Sequence, residues 1–482
     1  MLIASALVLV VVMAMLQWLP LPARLDNTPY ATMVLDRQGR LLSARIAADQ
    51  QWRFAPLGQL PDKYRQALLA FEDRRFYWHP GVDPLAIARA AWSNLRAGRV
   101  VSGGSTITMQ LARLLRADPP RTLPEKAFEA LLALQLEWHF SKQQILAEYA
   151  GRAPFGGNIV GLRAAAWRYF GREPADLSWA EAALLAVLPN SPAQIHPGRN
   201  RDGLKHKRDA LLRRLQDDGR LSRRDLQLAL LEPLPRAPRP LPQLAPRLLN
   251  RLARAHAGEV LHTTLDADLQ QRVRQLADRH GRRLGREGIH NLAVVVIDHR
   301  DLTTRVWLGN ATHGDPVEYG AAVDIASAPR STGSVLKPLL YGLMLDDGLI
   351  LPDTLVPDLP TNYGGYSPEN YDHQYRGAVP AHQALSESLN IPAVRMLRRY
   401  GVGRFHHQLR TLGMTTLFRP ADDYGLTLIL GGAEGTLGEL TGIYARLFAR
   451  AAGQPDEGVG LLQGQRPLMP AMPISAGAAW LT

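Results

Sequence analysis

The sequence predicts a multidomain protein. It reads as an N-terminal transmembrane helix over residues 1–22, a mainly α-helical domain over 30–230, a proline-rich linker over 231–258, and a domain of mixed helix and sheet, α/β or α+β, over 259–482. Three observations predict this. Residues Leu2 to Leu19 are almost wholly apolar, matching the ~18 residues that cross a bilayer. From Pro61 to Leu230, apolar residues recur at helical spacing behind good N-cap signals. After Glu232 to Pro242, where nearly every second residue is proline, β-rich runs appear beside further helices. A chain of 482 residues that is 46% hydrophobic can fill two or three cores.

Trp18 sits near the far end of the apolar run, as interface anchors do. A cleaved signal peptide and a buried core helix are the other readings of such a run. No positive residue precedes it, so a few leading residues are expected to be missing, and Arg24 just after it leaves the orientation weakly argued. From Tyr30 to Asp49, two short strands flank a turn at Asp36-Arg37-Gln38-Gly39. Asp83 and Pro84 supply an N-cap and an N1 proline for a helix that Gly98 closes. Ser141 with Gln144, and Ser178 with Glu181, are capping boxes that open two more. The proline stretch cannot continue a helix and reads as a stiff linker. Beyond it, Asn291 to Asn310 holds two β-rich runs joined by a short polar turn, and the chain turns helical again from Ser334. The tail from Gly453 to Thr482 is rich in Gly, Pro and Ala and looks cut inside a domain.

The formal net charge of +12 suits anionic lipid headgroups, phosphates or nucleic acid without choosing among them. The absence of cysteine excludes disulfides, cysteine metal sites and thiol catalysis, and leaves an extracytoplasmic location open. The basic helices between Arg199 and Arg224 are either a solvated face or a surface that rests on anionic lipid.

Two regions carry chemistry. In the second domain, Lys337 follows Ser334 by three residues, which on a helix puts amine and hydroxyl on one face, and Ser388-Leu389-Asn390 comes later. A serine is a weak nucleophile at neutral pH and needs such a base, so Ser334 is a candidate for acyl-enzyme chemistry. The K-T-G, K-S-G or R-T-G strand that accompanies such a pair does not occur in the chain, so this domain is expected to be incomplete. In the first domain, Phe71 to Gly81 packs Glu72, Asp73, Arg74, Arg75 and His79 into one run. Thr106, Gln110 and Arg113 follow at spacings of four and three, which predicts one helix face able to hold a phosphate, and Lys126 and Glu129 share another face. Two carboxylates on separate helices with cations between them suit one kind of reaction. One carboxylate activates a sugar hydroxyl while the cations take the charge of a phosphate leaving group. Taken singly, each segment is also explained by capping carboxylates and surface ion pairs. Asp73, His79 and Glu129 lack metal-site spacing, so no protein-held metal is expected.

In this order the motifs resemble two known families. EDRRFYWHPG, GGSTITMQLAR, RTLPEKAFEALLALQLEWHFSKQQILAEY, the Phe155 to Asn158 turn and EAALLAVLPNSP resemble the lysozyme-like peptidoglycan glycosyltransferases (family 51). APRSTGSVLKPLLYG and SESLNIPAV resemble the penicillin-binding transpeptidases. The pairing is similar to the bifunctional class A penicillin-binding proteins over nearly the whole chain from residue 30, and QLEWHFSKQQIL, RAPFGGN and NYGGYSPENYD point to one subgroup of that class.

The resemblance implies a lysozyme-like domain that joins lipid-linked disaccharide-peptide units into glycan strands. It also implies a serine transpeptidase-like domain, acylated by β-lactams, that cross-links stem peptides. It implies Glu72 as general base, with Glu129 as a second catalytic carboxylate. Asp73, Phe76 and His79 are the base's neighbours in the substrate site, and Thr106, Gln110, Arg113 and Lys126 line the side that holds the lipid pyrophosphate. Ser334 becomes the acylated nucleophile, Lys337 its base, and Ser388 with Asn390 the proton-relay and substrate-orienting pair. Some residues depart from the family pattern. Met109 stands where a second Gln is usual, Arg113 replaces the common Lys, Tyr149-Ala150-Gly151 replaces Y-L-N, and Glu125 replaces an Arg, which removes a positive charge beside a pyrophosphate. The resemblance further implies a divalent cation, Mg or Mn, carried with the pyrophosphate, and no organic cofactor. The expected partners are the lipid-linked precursor, the nascent glycan, stem peptides, β-lactams and an anionic membrane surface, with no nucleic acid. The expected location is the bacterial inner membrane, crossed once, with the catalytic domains on the periplasmic or extracellular side. Two other readings remain: a β-lactam-binding sensor or scaffold that cross-links nothing, and a lysozyme-like lytic enzyme.

Overall fold

The computed structural model describes residues 25, 28–98, 103–116, 122–190, 198–312, 315 and 317–482. The transmembrane helix expected at 1–22 lies outside the described residues, and among those described no helix is long and apolar enough to cross a membrane. The chain divides into two compact units. The first comprises residues up to Met33, Ala44–Pro242 and Ala255–Val260; the second comprises Val34–Ser43, Gln243–Arg254 and Leu261–Thr482.

Strands β1 (Thr32–Leu35) and β2 (Leu41–Arg45) form a hairpin. Its turn is built as the sequence predicts. The Asp36 carboxylate accepts the N–H groups of Gln38 and Arg40, both at 2.8 Å, and Gly39 takes φ +84°.

The first unit is mainly helical, as expected. In chain order it contains α1 (Asp62–Glu72), α2 (Pro84–Ala97), α3 (Ile107–Leu115), α4 (Leu123–His139), α5 (Lys142–Arg152), α6 (Leu162–Phe170), α7 (Trp179–Val187), α8 (Arg201–Asp217) and α9 (Arg223–Leu231). Each predicted start is present: Asp83 caps α2 through Ala86 N–H, and the boxes at Ser141/Gln144 and Ser178/Glu181 are complete. Helix α7 is apolar apart from its capping Glu181 and is buried, with Ala182, Ala183, Leu184 and Leu185 out of solvent. Helix α1 packs on it and buries Ala67, Leu68 and Leu69. Helix α3 lies against α4 and α5.

The second unit mixes sheet and helix. The stretch read as a linker holds a helix, α10 (Pro246–Leu252). Pro246 suits its first turn, and Leu248 and Leu249 are buried. Strand β3 (Val260–His262) joins the hairpin in a three-stranded sheet with β1 in the middle. Val34, Leu42, Leu248, Leu261, Leu265 and Trp307 form a core there. Helix α11 (Ala267–Gly285) is tied to the next sheet by the buried Gln270, whose amide pairs with Trp307 N–H and C=O, both at 2.9 Å, as a strand would. That sheet is the predicted hairpin, β4 (Asn291–Asp298) and β5 (Thr303–Thr312), antiparallel with two register shifts. Then come α12 (Lys337–Asp346), the antiparallel pair β6 (Leu355–Asp358) and β7 (Gly377–Pro380), α13 (Ala381–Ser386), α14 (Asn390–Tyr400), α15 (Val402–Leu412), α16 (Leu437–Ala451) and α17 (Ala476–Leu481). Their shared core includes Leu340, Met344, Val394, Leu397, Phe405, Leu409, Ile443 and Ile474. Residues 456–472 are strapped to α16 by the buried Arg446, which donates to Asp456 at 2.9 Å and to Pro470 C=O at 2.8 Å.

Candidate active sites

Helix α1 ends at Glu72 because Asp73 leaves helical geometry at φ −156°, ψ 81°, which sends the two neighbouring carboxylates different ways. Glu72 Oε2 accepts from Gln110 Nε2 at 2.8 Å. Its Oε1 is buried, with no partner at hydrogen-bond geometry among the described residues. Burial pushes this carboxyl's pKa up and the Asp73 charge adds to it, while Gln110, Asn190 and Lys207 pull it back. The Tyr149 hydroxyl donates to Gln110 Oε1 at 3.0 Å. Tyr149 and Tyr64 are both buried, with phenol pKa values pushed up by burial and by the nearby Glu72 charge, so both keep their protons.

Asp73 turns to the start of α3. It accepts the Ile107 N–H at 3.1 Å and contacts His79 Nε2 at 3.1 Å through each oxygen. Gly81 N–H donates to His79 Nδ1 at 3.2 Å, which makes Nε2 the protonated nitrogen and the donor to Asp73. Phe76 is buried edge-on to the His79 ring and under the Lys142 ammonium, 4.3 Å from the ring centre. Asp73, Phe76 and His79 therefore set the position of the helix that carries Gln110.

Of the face expected from Thr106, Gln110 and Arg113, the first two are engaged within the protein. Thr106 is the buried N-cap of α3: its hydroxyl accepts Met109 N–H and donates to Gly81 C=O at 2.5 Å, so it has no proton left to donate to a phosphate. Gln110 is spent on Glu72 and Tyr149, while Arg113 lies in the last turn of α3. Lys126 and Glu129 do share a face, joined at 2.6 Å, with the lysine 44% and the glutamate 6% exposed. The anomalous Glu125 is paired with Arg116, so its negative charge is cancelled within the protein. Among the described residues, Asp73, His79 and Asp83 gather potential ligand atoms within 4.8 Å of one another. Each already has partners: Asp83 holds Arg75 and Ala86 N–H.

In the second unit the serine is not on a helix. Ser334 lies exposed in a turn, with Gly333 at φ +50° before it and Lys337 N–H bonded to Ser334 C=O at 3.1 Å, and α12 begins only at Lys337. Lys337 is buried, and burial lowers its pKa to about 8. Its Nζ donates to Ser388 C=O at 2.6 Å, Ser388 Oγ at 3.3 Å and Asn390 Oδ1 at 2.8 Å, so the lysine and the S-x-N segment do meet. Ser388 follows α13 in the left-handed region, φ +55°, a conformation that costs a non-glycine residue roughly 1–2 kcal/mol. Asn390 opens α14. Asn370 Oδ1 accepts the N–H groups of Asn390 and Ile391 at 2.9 and 3.3 Å, and its amide donates to the fully buried Asp358 at 2.8 Å.

Reading the sequence misses two groups of residues: Tyr64, Tyr149, Asn190 and Lys207 around Glu72, and the Asn370–Asp358 pair that holds the start of α14. Asn190 and Asn370 do stand inside segments the sequence singles out, LPNSP and SPENYD. Tyr149 opens the Tyr-Ala-Gly departure from the family pattern, but nothing local marks its hydroxyl as the partner of Gln110.

Two family models match the chain: Transglycosylase over residues 38–216 and Penicillin binding protein transpeptidase domain over 293–427. Penicillin-binding protein 1C of Escherichia coli (strain K12) is 42% identical over 96% of this chain and 59% of its own length. Penicillin-binding protein 1F of Bacillus subtilis (strain 168) is 30% identical over 78% of this chain and 54% of its own. The chain thus spans a little over half the length of these relatives. A crystal structure of penicillin-binding protein 1A from Haemophilus influenzae aligns at a TM-score of 0.45 and 16% identity, covering 92% of this chain and 72% of that one, a likeness too low to carry an argument.

Proposed function

Because this chain belongs to the bifunctional penicillin-binding proteins, with a transglycosylase domain followed by a transpeptidase domain, we propose that its first unit polymerises lipid-linked disaccharide-peptide units with Glu72 as the base. The observation that carries this is the Glu72 carboxylate, buried with its pKa raised and with one oxygen held by Gln110. In the proposed step, Glu72 takes the proton of the acceptor sugar hydroxyl as that oxygen bonds to the donor's anomeric carbon. The bond from that carbon to the pyrophosphate oxygen breaks, and the pyrophosphate leaves with the electron pair. Lys126 and Arg113 are the cations proposed to take its charge, with Glu129 orienting Lys126. A magnesium or manganese ion would enter on the pyrophosphate as part of the substrate and add positive charge there, with Glu129 as the carboxylate to meet it.

For the second unit we propose acylation at Ser334 with Lys337 as base and Ser388 and Asn390 as relay and orienting groups, acting on stem peptides and β-lactams. A membrane anchor at 1–22 and an extracytoplasmic location complete the proposal.

The test supplies purified protein with lipid-linked disaccharide. Polymer is expected, and Glu72→Gln should lower its rate by ~10²–10⁴. Released glycan fragments would favour a lytic enzyme, and a variant polymerising at more than about half the parental rate removes Glu72 as base.

A further inference from the structure

Gln110 does not act on Glu72 alone, because its amide has a second end. Gln110 Nε2 donates to Glu72 Oε2 at 2.8 Å and Gln110 Oε1 accepts from the Tyr149 hydroxyl at 3.0 Å, so α5 reaches the end of α1 through one side chain of α3. An amide side chain can turn over, exchanging its donor and acceptor ends. Turned over, Gln110 would present an oxygen to Glu72, which an ionised carboxylate repels and a protonated one welcomes. A tyrosine hydroxyl that keeps its proton opposes that turn: its oxygen could accept from the turned amide, but its own buried proton would lose the acceptor it has in Oε1. Tyr149 is 1% exposed and is held in its protonated form by burial.

We propose that Tyr149 is a positioning residue that, by fixing which way Gln110 faces, favours the ionised form of Glu72 and so sets the pH at which the base becomes active. This rests on the reading of Glu72 as base. The other groups that face the carboxylate are Asp73 beside it, Lys207 on α8, Asn190 after α7 and the Tyr64 phenol on α1. Tyr64 supplies an internal comparison: it is equally buried, senses the Glu72 charge, and its hydroxyl has no hydrogen-bond partner among the described residues.

The experiment titrates the Glu72 carboxyl stretch by difference infrared spectroscopy on the whole protein, without substrate, the band being the one that Glu72→Gln removes. Tyr149→Phe should raise the midpoint by roughly one pH unit, the size of one lost hydrogen bond's bias. Tyr64→Phe should leave it in place. An unmoved midpoint in Tyr149→Phe overturns the proposal, as does an equal rise in Tyr64→Phe. Should Tyr149→Phe fail to fold, Gln110→Met, which deletes the amide, must raise the midpoint at least as far, and an unmoved band there also overturns the proposal. The two readings fail separately: a band that shifts as expected while Glu72→Gln still polymerises removes the base assignment and keeps the Tyr149 coupling.

Discussion

Glu72 gives up its proton reluctantly because burial withholds water from the carboxylate and Asp73 repels the resulting charge. Its folded pKa lies above the ordinary value, so folding is favoured while the group is protonated and loses support as pH rises from the ordinary carboxylate range through the raised value. Glu72→Gln is therefore expected to melt higher than the parent at pH 7, with the gap closing towards pH 4; a variant that melts lower at pH 7 goes against this. Lys337 has the opposite sign. Its pKa of about 8 lies below the ordinary lysine value, so ionisation of the folded form opposes folding below about pH 8 and that penalty lifts as pH rises towards the unfolded pKa. The melting temperature of the parent relative to Lys337→Met should rise between pH 7 and pH 10, which thermal scans over that range would show. Ser334 and Lys337 stand out in the sequence by their spacing, and Glu72 by the charged run around it together with the family resemblance. Tyr149 and Asn370 are not, since their partners are supplied by the fold, 39 positions away in one case and 20 in the other.

Helix α3 depends on its first residues. Thr106 caps it and Asp73 accepts its first free N–H, so Thr106→Ala should lower stability by about 1–2 kcal/mol and Thr106→Ser should restore most of it. If Thr106 held phosphate instead, the alanine variant would keep its stability and lose donor affinity, which chemical denaturation and donor-dependence assays separate. Gly81 faces the same region at φ +94°, and an added Cβ would stand 2.7 Å from Ala133 C=O. Gly81→Ala is expected to cost at least ~2 kcal/mol, measured the same way. Capping signals make α2, α5 and α7 readable, because the boxes and the N1 proline are local chemistry. The start of α12 departs from the helix expected at Ser334, although its signal is present. Pro338 has no N–H to give, so it suits a first turn, and a helix capped by Ser334 would put it where the first intrahelical N–H bond belongs.

At the scale of the whole molecule, Met472, Ile474, Ala478 and Ala479 are part of the second unit's core, and Arg446 straps the segment before them. Deleting 453–482 should remove the cooperative melting of that unit while the first unit still melts, which calorimetry on the shortened protein would show. A linear reading of the sequence assigns one domain to each contiguous stretch. It misses that Val34–Ser43 goes with residues more than 200 positions later, because pairing at that distance leaves no local periodicity.

That interleaving has a consequence for how the protein is made. The β1–β2 hairpin leaves the ribosome early, yet Leu248, Leu261 and Leu265, which cover Val34 and Leu42, are translated on the order of ten seconds to most of a minute later. During that interval the nascent chain carries an uncovered apolar hairpin while the helical unit is still being made, a state in which chaperone binding competes with aggregation. Slowing translation between codons 45 and 242 should therefore lower the yield of folded protein without changing any bond in the finished molecule.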